Sequence, residues 1–121
     1  MNEDFHRSDR VAERVRADIA DILRTQIHDP RIGMVSITRV KASRDLRNMT
    51  VWVSAFGADE AKQAATLEGL RSASPFITRE VFRRLQIKVS VELTFKMDDS
   101  LAKGQEVLQK IKEALAEDEQ K

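Results

Sequence analysis

A chain of 121 residues with no cysteine and a formal net charge of +1 has the size of one domain with an ordinary core. It excludes a disulfide scaffold, a thiolate metal site and a cysteine nucleophile. No apolar run approaches the roughly 20 residues of a membrane span, and the start MNEDFHRSDR resembles neither a signal nor a transit peptide, so a soluble cytoplasmic monomer is expected.

Ser8 or Asp9 can cap a first helix. Val11, Val15, Ile19, Ile22, Leu23 and Ile27 then recur at the spacing of one apolar face, with Arg10, Arg14 and Arg16 largely off it. The helix should end near His28, because Pro30 disfavours helical geometry at Asp29, and DPRIG then turns. Two strands follow, MVSITRVKA (34–42) and MTVWVSAF (49–56). In the second, Met49, Val51, Val53 and Ala55 alternate with Thr50, Trp52, Ser54 and Phe56. The short, turn-forming link SRDLRN makes them an antiparallel hairpin. A helix capped by Asp59 runs to Ala73. IKVSVELTFKM (87–97) alternates throughout and reads as a third strand, with Lys88, Ser90, Glu92, Thr94 and Lys96 on a wet face. DDS can cap a final helix whose stripe of Leu101, Val107, Leu108, Ile111 and Leu115 should pack on the domain, and AEDEQK should fray as an acidic end.

Pro75 falls where helix patterns lie on both sides. Inside a helix it costs about 3 kcal/mol, a penalty that largely disappears at a first helical position. Ser74 before it is a preferred N-cap. Ala73-Ser74-Pro75 therefore predicts the end of one helix and the capped start of another, with an N-terminus that favours an anion. Arg79 and Arg83 follow one and two turns later.

Charge is unevenly divided along the chain. Residues 98–121 carry −3, whereas the windows 31–47 and 71–88 each carry +4. The first holds Arg31, Arg39, Lys41, Arg44 and Arg47 against Asp45; the second holds Arg71, Arg79, Arg83, Arg84 and Lys88 against Glu80. Such density suits a polyanion partner, or arginines that only keep a surface wet.

The order α-β-β-α-α-β plus a C-terminal helix is that of a type II KH-like domain, an α+β RNA-binding fold. Glycines stand only at 33, 57, 69 and 104, so the Gly-x-x-Gly loop usual in such domains is absent. Four stretches in order resemble the ribosome-binding factor A family, which lacks that loop and has an Ala-x-Gly kink instead: RVAERVRADIADIL with HDPRIG, KASRDLRNMTVWVS, ASPFITREVFRRLQIK, and VELTFKMDDS. They span about residues 8–112. Pro75 replaces the family's usual glycine, and Val91 a frequent proline, which should leave the third strand more regular.

The resemblance implies a non-catalytic factor that binds the immature small ribosomal subunit through its ribosomal RNA. It also implies aid to late maturation and 5′-end processing of that RNA, and release before translation. Phosphate attraction is expected from Ser74, Arg79, Arg83, Arg84 and Lys88, from Arg39, Lys41, Arg44 and Arg47 on the hairpin, and more weakly from Arg10, Arg14 and Arg31. Trp52 is the one obvious base stacker, though core or sheet surface suits it better. No cofactor or metal is expected: His6 and His28 have no second ligand at metal spacing, Asp98-Asp99 suits capping, and no phosphate loop or nucleophile elbow appears. The alternative is a protein-binding module acting through the C-terminal helix.

Overall fold

The structure, a computed structural model, describes residues 7–55, 57–98 and 100–119, and the side chains of these except 100–106 and 117–119. Within the described residues the order is α1 (Arg7–Thr25), β1 (Val35–Ala42), β2 (Asn48–Ala55), α2 (Glu60–Leu85), β3 (Glu92–Met97) and α3 (Ser100–Glu119). The architecture is α+β, with one helix where two were expected.

α1 buries Val15, Ile19 and Ile22 completely, with Val11, Leu23 and Ile27 half-buried beside them. It begins at Arg7, so Ser8 and Asp9 lie inside the first turn and neither is the cap; there Asp9 complements the positive helix end. It stops at Thr25, somewhat before His28. The turn that follows is closed by the Ile32 N–H donating to the Asp29 carbonyl (3.0 Å). This turn sits tightly on α2. A Cβ added at Gly69 would lie 3.0 Å from Ile32 Cγ1 and 3.2 Å from Arg31 Cβ, so any larger residue would press on the turn. The Thr66 hydroxyl helps hold it, donating to the Arg31 or the Lys62 carbonyl (3.1 and 2.9 Å).

The sheet runs β1-β2-β3, with β1 antiparallel and β3 parallel to β2. Met49, Val51, Val53, Leu93 and Phe95 face the helices and form the core with α1 and α2. The third strand is shorter than its alternation suggested. Burial still alternates from Ile87 to Phe95, but pairing starts only at Glu92, opposite Asn48 where β2 itself begins. Before that point β3 has no strand beside it to bond, so Val91 adds no N–H to the ladder. Phe56 and Asp99 lie outside the described residues, and so does His6.

β1 contains a bulge that its sequence did not announce. Ile37 pairs with Val53 and Arg39 with Trp52, leaving Thr38 as the extra residue. After it the alternation resumes with inverted phase: Val40 turns inward, and Arg39 and Lys41 turn outward.

α2 is capped by Asp59, whose carboxylate accepts from the Lys62 N–H (2.8 Å), and closed by a left-handed Gln86 whose N–H donates to the Phe82 carbonyl (3.0 Å). It passes through Pro75 without ending. The predicted break, the Ser74 cap and the free N-terminus are therefore corrected. Thr66, Leu70, Ile77 and Val81 bury one continuous stripe across the proline, with Ala73 half-buried on it. Splitting the helix would misalign that stripe. Pro75 removes a single N–H, and both it and Arg71 are exposed, so the carbonyl left without a donor can meet water.

Four residues of the C-terminal stripe do not pack: Val107, Leu108, Ile111 and Leu115 are 50–58% exposed, against the expectation above, and the Leu101 side chain lies outside the described residues. α3 runs on to Glu119, so the anticipated fraying does not begin at the start of AEDEQK.

Candidate nucleic-acid interface

The cations after Pro75 do not form one free cluster. Arg84 is the most engaged: its guanidinium lies 3.0 Å from Asp21, 3.6 Å from Asp18 and 3.9 Å from Glu80. Arg14 on α1 donates to the Arg84 carbonyl (3.1 Å) and stands 3.8 Å from Asp18. These contacts tie α1 to the end of α2. Arg83 binds Glu80 at 2.8 Å within α2, and this hydrogen bond holds the Glu80 carboxyl below its ordinary range. Arg79 and Lys88 are exposed and have no ion pair among the described residues. Ser74 is half-buried in mid-helix, where its backbone N–H belongs to the helix and cannot serve an anion.

Arg31 is folded onto its own turn. It meets Asp29 at 2.7 Å through the guanidinium and 2.9 Å through its backbone N–H, and Glu68 at 3.8 Å. The hydrogen bonds from Arg31 hold the Asp29 carboxyl low, and the same contact raises the Arg31 guanidinium.

The hairpin loop is braced by its own side chains. The Ser43 hydroxyl donates to Asp45 (2.6 Å), Asp45 accepts from the Arg47 N–H (3.1 Å), and the Asn48 N–H donates to Ser43 Oγ (3.1 Å). The Ser43 hydrogen bond is the main reason that the Asp45 carboxyl lies below its ordinary range. Leu46 takes a left-handed conformation (φ 64°) yet is buried; burial of its side chain offsets the strain of that backbone. Arg44 and Arg47 are left exposed on a fixed loop. The Glu92 N–H donates to the Arg47 carbonyl (2.8 Å), which puts this loop at the end of the sheet where β3 begins. The link 86–91 with Lys88 enters there, so Arg44, Arg47 and Lys88 share that end. Arg10 is exposed on α1.

Arg39 and Lys41 belong to a different surface, the face of the sheet turned away from α1 and α2. The Arg39 guanidinium lies 3.9 Å above the Trp52 ring. Lys96 pairs with Trp52 from the other side. Reading charge windows passed over Lys96, although alternation with Phe95 had already put it on the wet face. Trp52 is half-buried sheet surface and not core. Among the described residues, no group of three His, Asp or Glu side chains could hold a metal, and no helix is long and apolar enough to cross a membrane.

The family model described as ribosome-binding factor A matches residues 7–111. The chain is similar to the ribosome-binding factor A of Dictyoglomus thermophilum, with 43% identity over 115 residues, 94% of this chain and 95% of that one. Its fold is similar to an NMR structure of a Thermotoga maritima protein described under the same name (TM-score 0.71, 27% identity, 83% of this chain and 93% of that one). It is also similar to Thermus thermophilus ribosome binding factor A coordinates fitted into a map of a complex of that factor with 30S (TM-score 0.62, 21% identity, 76% and 96% covered).

Proposed function

Because the chain belongs to the ribosome-binding factor A family, we propose that it is a cytoplasmic, non-catalytic assembly factor that binds the free immature small ribosomal subunit through its ribosomal RNA. It assists late maturation of that RNA, including 5′-end processing, by holding one RNA arrangement better than another. The observation that carries this reading is the family match across residues 7–111. The choice of partner is supported by the Thermus thermophilus ribosome binding factor A, whose coordinates were fitted into a map of a 30S complex. Exposed cations suit phosphate contact: Arg79 on α2, Arg44, Arg47 and Lys88 at the hairpin end, Arg39 and Lys41 on the sheet, and Arg10 on α1. Arg14, Arg31, Arg83 and Arg84 would have to leave carboxylates to take part, and Arg47 its longer contact with Asp45 at 4.0 Å, so the first four are weaker ligands.

Co-sedimentation with separated subunits and whole ribosomes tests the reading. Pelleting with free small subunits alone is expected; pelleting with neither subunit, or equally with both, overturns it. Salt should weaken binding with a slope of roughly 0.7–0.9 per phosphate contact. The exposed stripe on α3 favours one additional reading, a protein contact made by that helix. Removing residues 100–121 would then abolish function and leave RNA affinity intact.

A further inference from the structure

We propose that the face of the sheet turned away from α1 and α2 is a binding surface for single-stranded RNA, on which a base stacks against the Arg39–Trp52 pair while Lys41 and Lys96 meet the flanking phosphates. This rests on the RNA-binding reading above and goes beyond it in naming the strand type and the stacking site.

The sheet register sets the layout. Arg39, Trp52 and Lys96 stand directly across from one another on β1, β2 and β3. Lys41, Thr50 and Thr94 form the next row on the same face. Neighbouring strands lie about 4.8 Å apart and successive rows about 6.8 Å apart, so three cations surround one indole. Lys41 and Lys96 have no ion pair among the described residues. Among the described residues, the carboxylates on this face stand at its two ends: Glu92 opposite Asn48, and Asp98, which accepts from the Thr38 hydroxyl (2.6 Å).

Without the bulge at Thr38, Arg39 would point at the core. The irregularity brings Arg39 over Trp52 and Lys41 beside it. A guanidinium stacked on an indole keeps its N–H edges free for phosphate and offers its outer plane to a base. A flat platform of this kind needs an unstacked base and cannot enter the deep groove of A-form RNA, which selects single strands.

Trp52 is the chain's one tryptophan and there is no tyrosine, so intrinsic emission reports this face directly. The full chain is titrated with a single-stranded oligouridylate of about ten nucleotides, and separately with a duplex of equal length, following Trp52 emission and the anisotropy of labelled RNA. Saturable quenching by the single strand, stronger than by the duplex, is expected. Trp52→Leu should weaken single-strand affinity by roughly 5- to 100-fold, and Lys41→Ala with Lys96→Ala by about 10-fold, with melting curves confirming that both variants fold. Strand binding with unchanged emission, equal quenching by duplex, or no strand binding at all overturns the proposal. Loss of this effect with small-subunit pelleting intact removes only the sheet surface; loss of pelleting removes the assembly-factor reading itself.

Discussion

The windows 31–47 and 71–88 carry the same net charge of +4, yet the fold treats them differently. In the second window Arg83 and Arg84 are held by Glu80, and Arg84 also by Asp18 and Asp21 from α1. In the first, Arg31 is held by Asp29, while Arg39 and Lys41 are lifted onto an open face and Arg47 stands 4.0 Å from Asp45. Net charge in a window counts neighbours in sequence. The field at a surface counts neighbours in space, and here Asp18 and Asp21 of α1 reach into the second window at Arg84.

The sharpest way to break this contrast is Arg84→Ala. Asp18 and Glu80 side chains are each only 18% exposed; in the variant Glu80 keeps Arg83 at 2.8 Å, whereas Asp18 is left with only Arg14 at 3.8 Å. A loss of about 1–3 kcal/mol is expected, between the values for surface and buried pairs. RNA affinity of the folded protein should stay within about twofold. Thermal unfolding and RNA titration of the same sample check both halves. A normal melt with weakened RNA binding would return Arg84 to the interface.

Next in size is Pro75→Ala. In a continuous helix it restores one N–H to the Arg71 carbonyl and should raise stability by about 1–2 kcal/mol. Were residues 74 and 75 a capped corner, the same change would be neutral or destabilising. Denaturant unfolding decides between them.

Gly69→Ala asks why Arg31 is held. The new methyl would press on the buried Ile32 and on Arg31 Cβ, which cannot swing away. The gain in helix propensity, about 1 kcal/mol, is outweighed by overpacking, and a net loss of about 1 kcal/mol is expected. A more stable variant would show that the turn can shift without cost.

The smallest effect is acid release of the held cations. Asp29 and Glu80 both lie below their ordinary pKa in the folded protein, chiefly through hydrogen bonds from Arg31 and Arg83. Their contribution to stability is therefore full above the unfolded value of about 4 and is lost as pH falls through the lowered one. The melting temperature should decline as pH falls below about 4, and Asp29→Asn with Glu80→Gln should flatten that decline.

Much of the fold was legible along the chain. Apolar residues at helical spacing gave α1 its buried face, strict alternation separated Val51 and Val53 from Trp52, and Asp59 announced the start of α2. Each of these signals is local: a helix or strand repeats within a few residues, and a capping side chain reaches only its own first turn. The candidate cations were legible too, as residue types in basic windows.

Tertiary structure alone decided which of those cations are free, since Asp18 and Asp21 reach Arg84 across more than sixty positions of sequence. It carried α2 through Pro75, because one continuous buried stripe outweighs a local backbone cost of about 3 kcal/mol. It began β3 at Glu92, because a strand needs a partner backbone beside it. It turned Arg39 outward at Thr38, because a bulge belongs to a pair of strands and neither strand carries it alone.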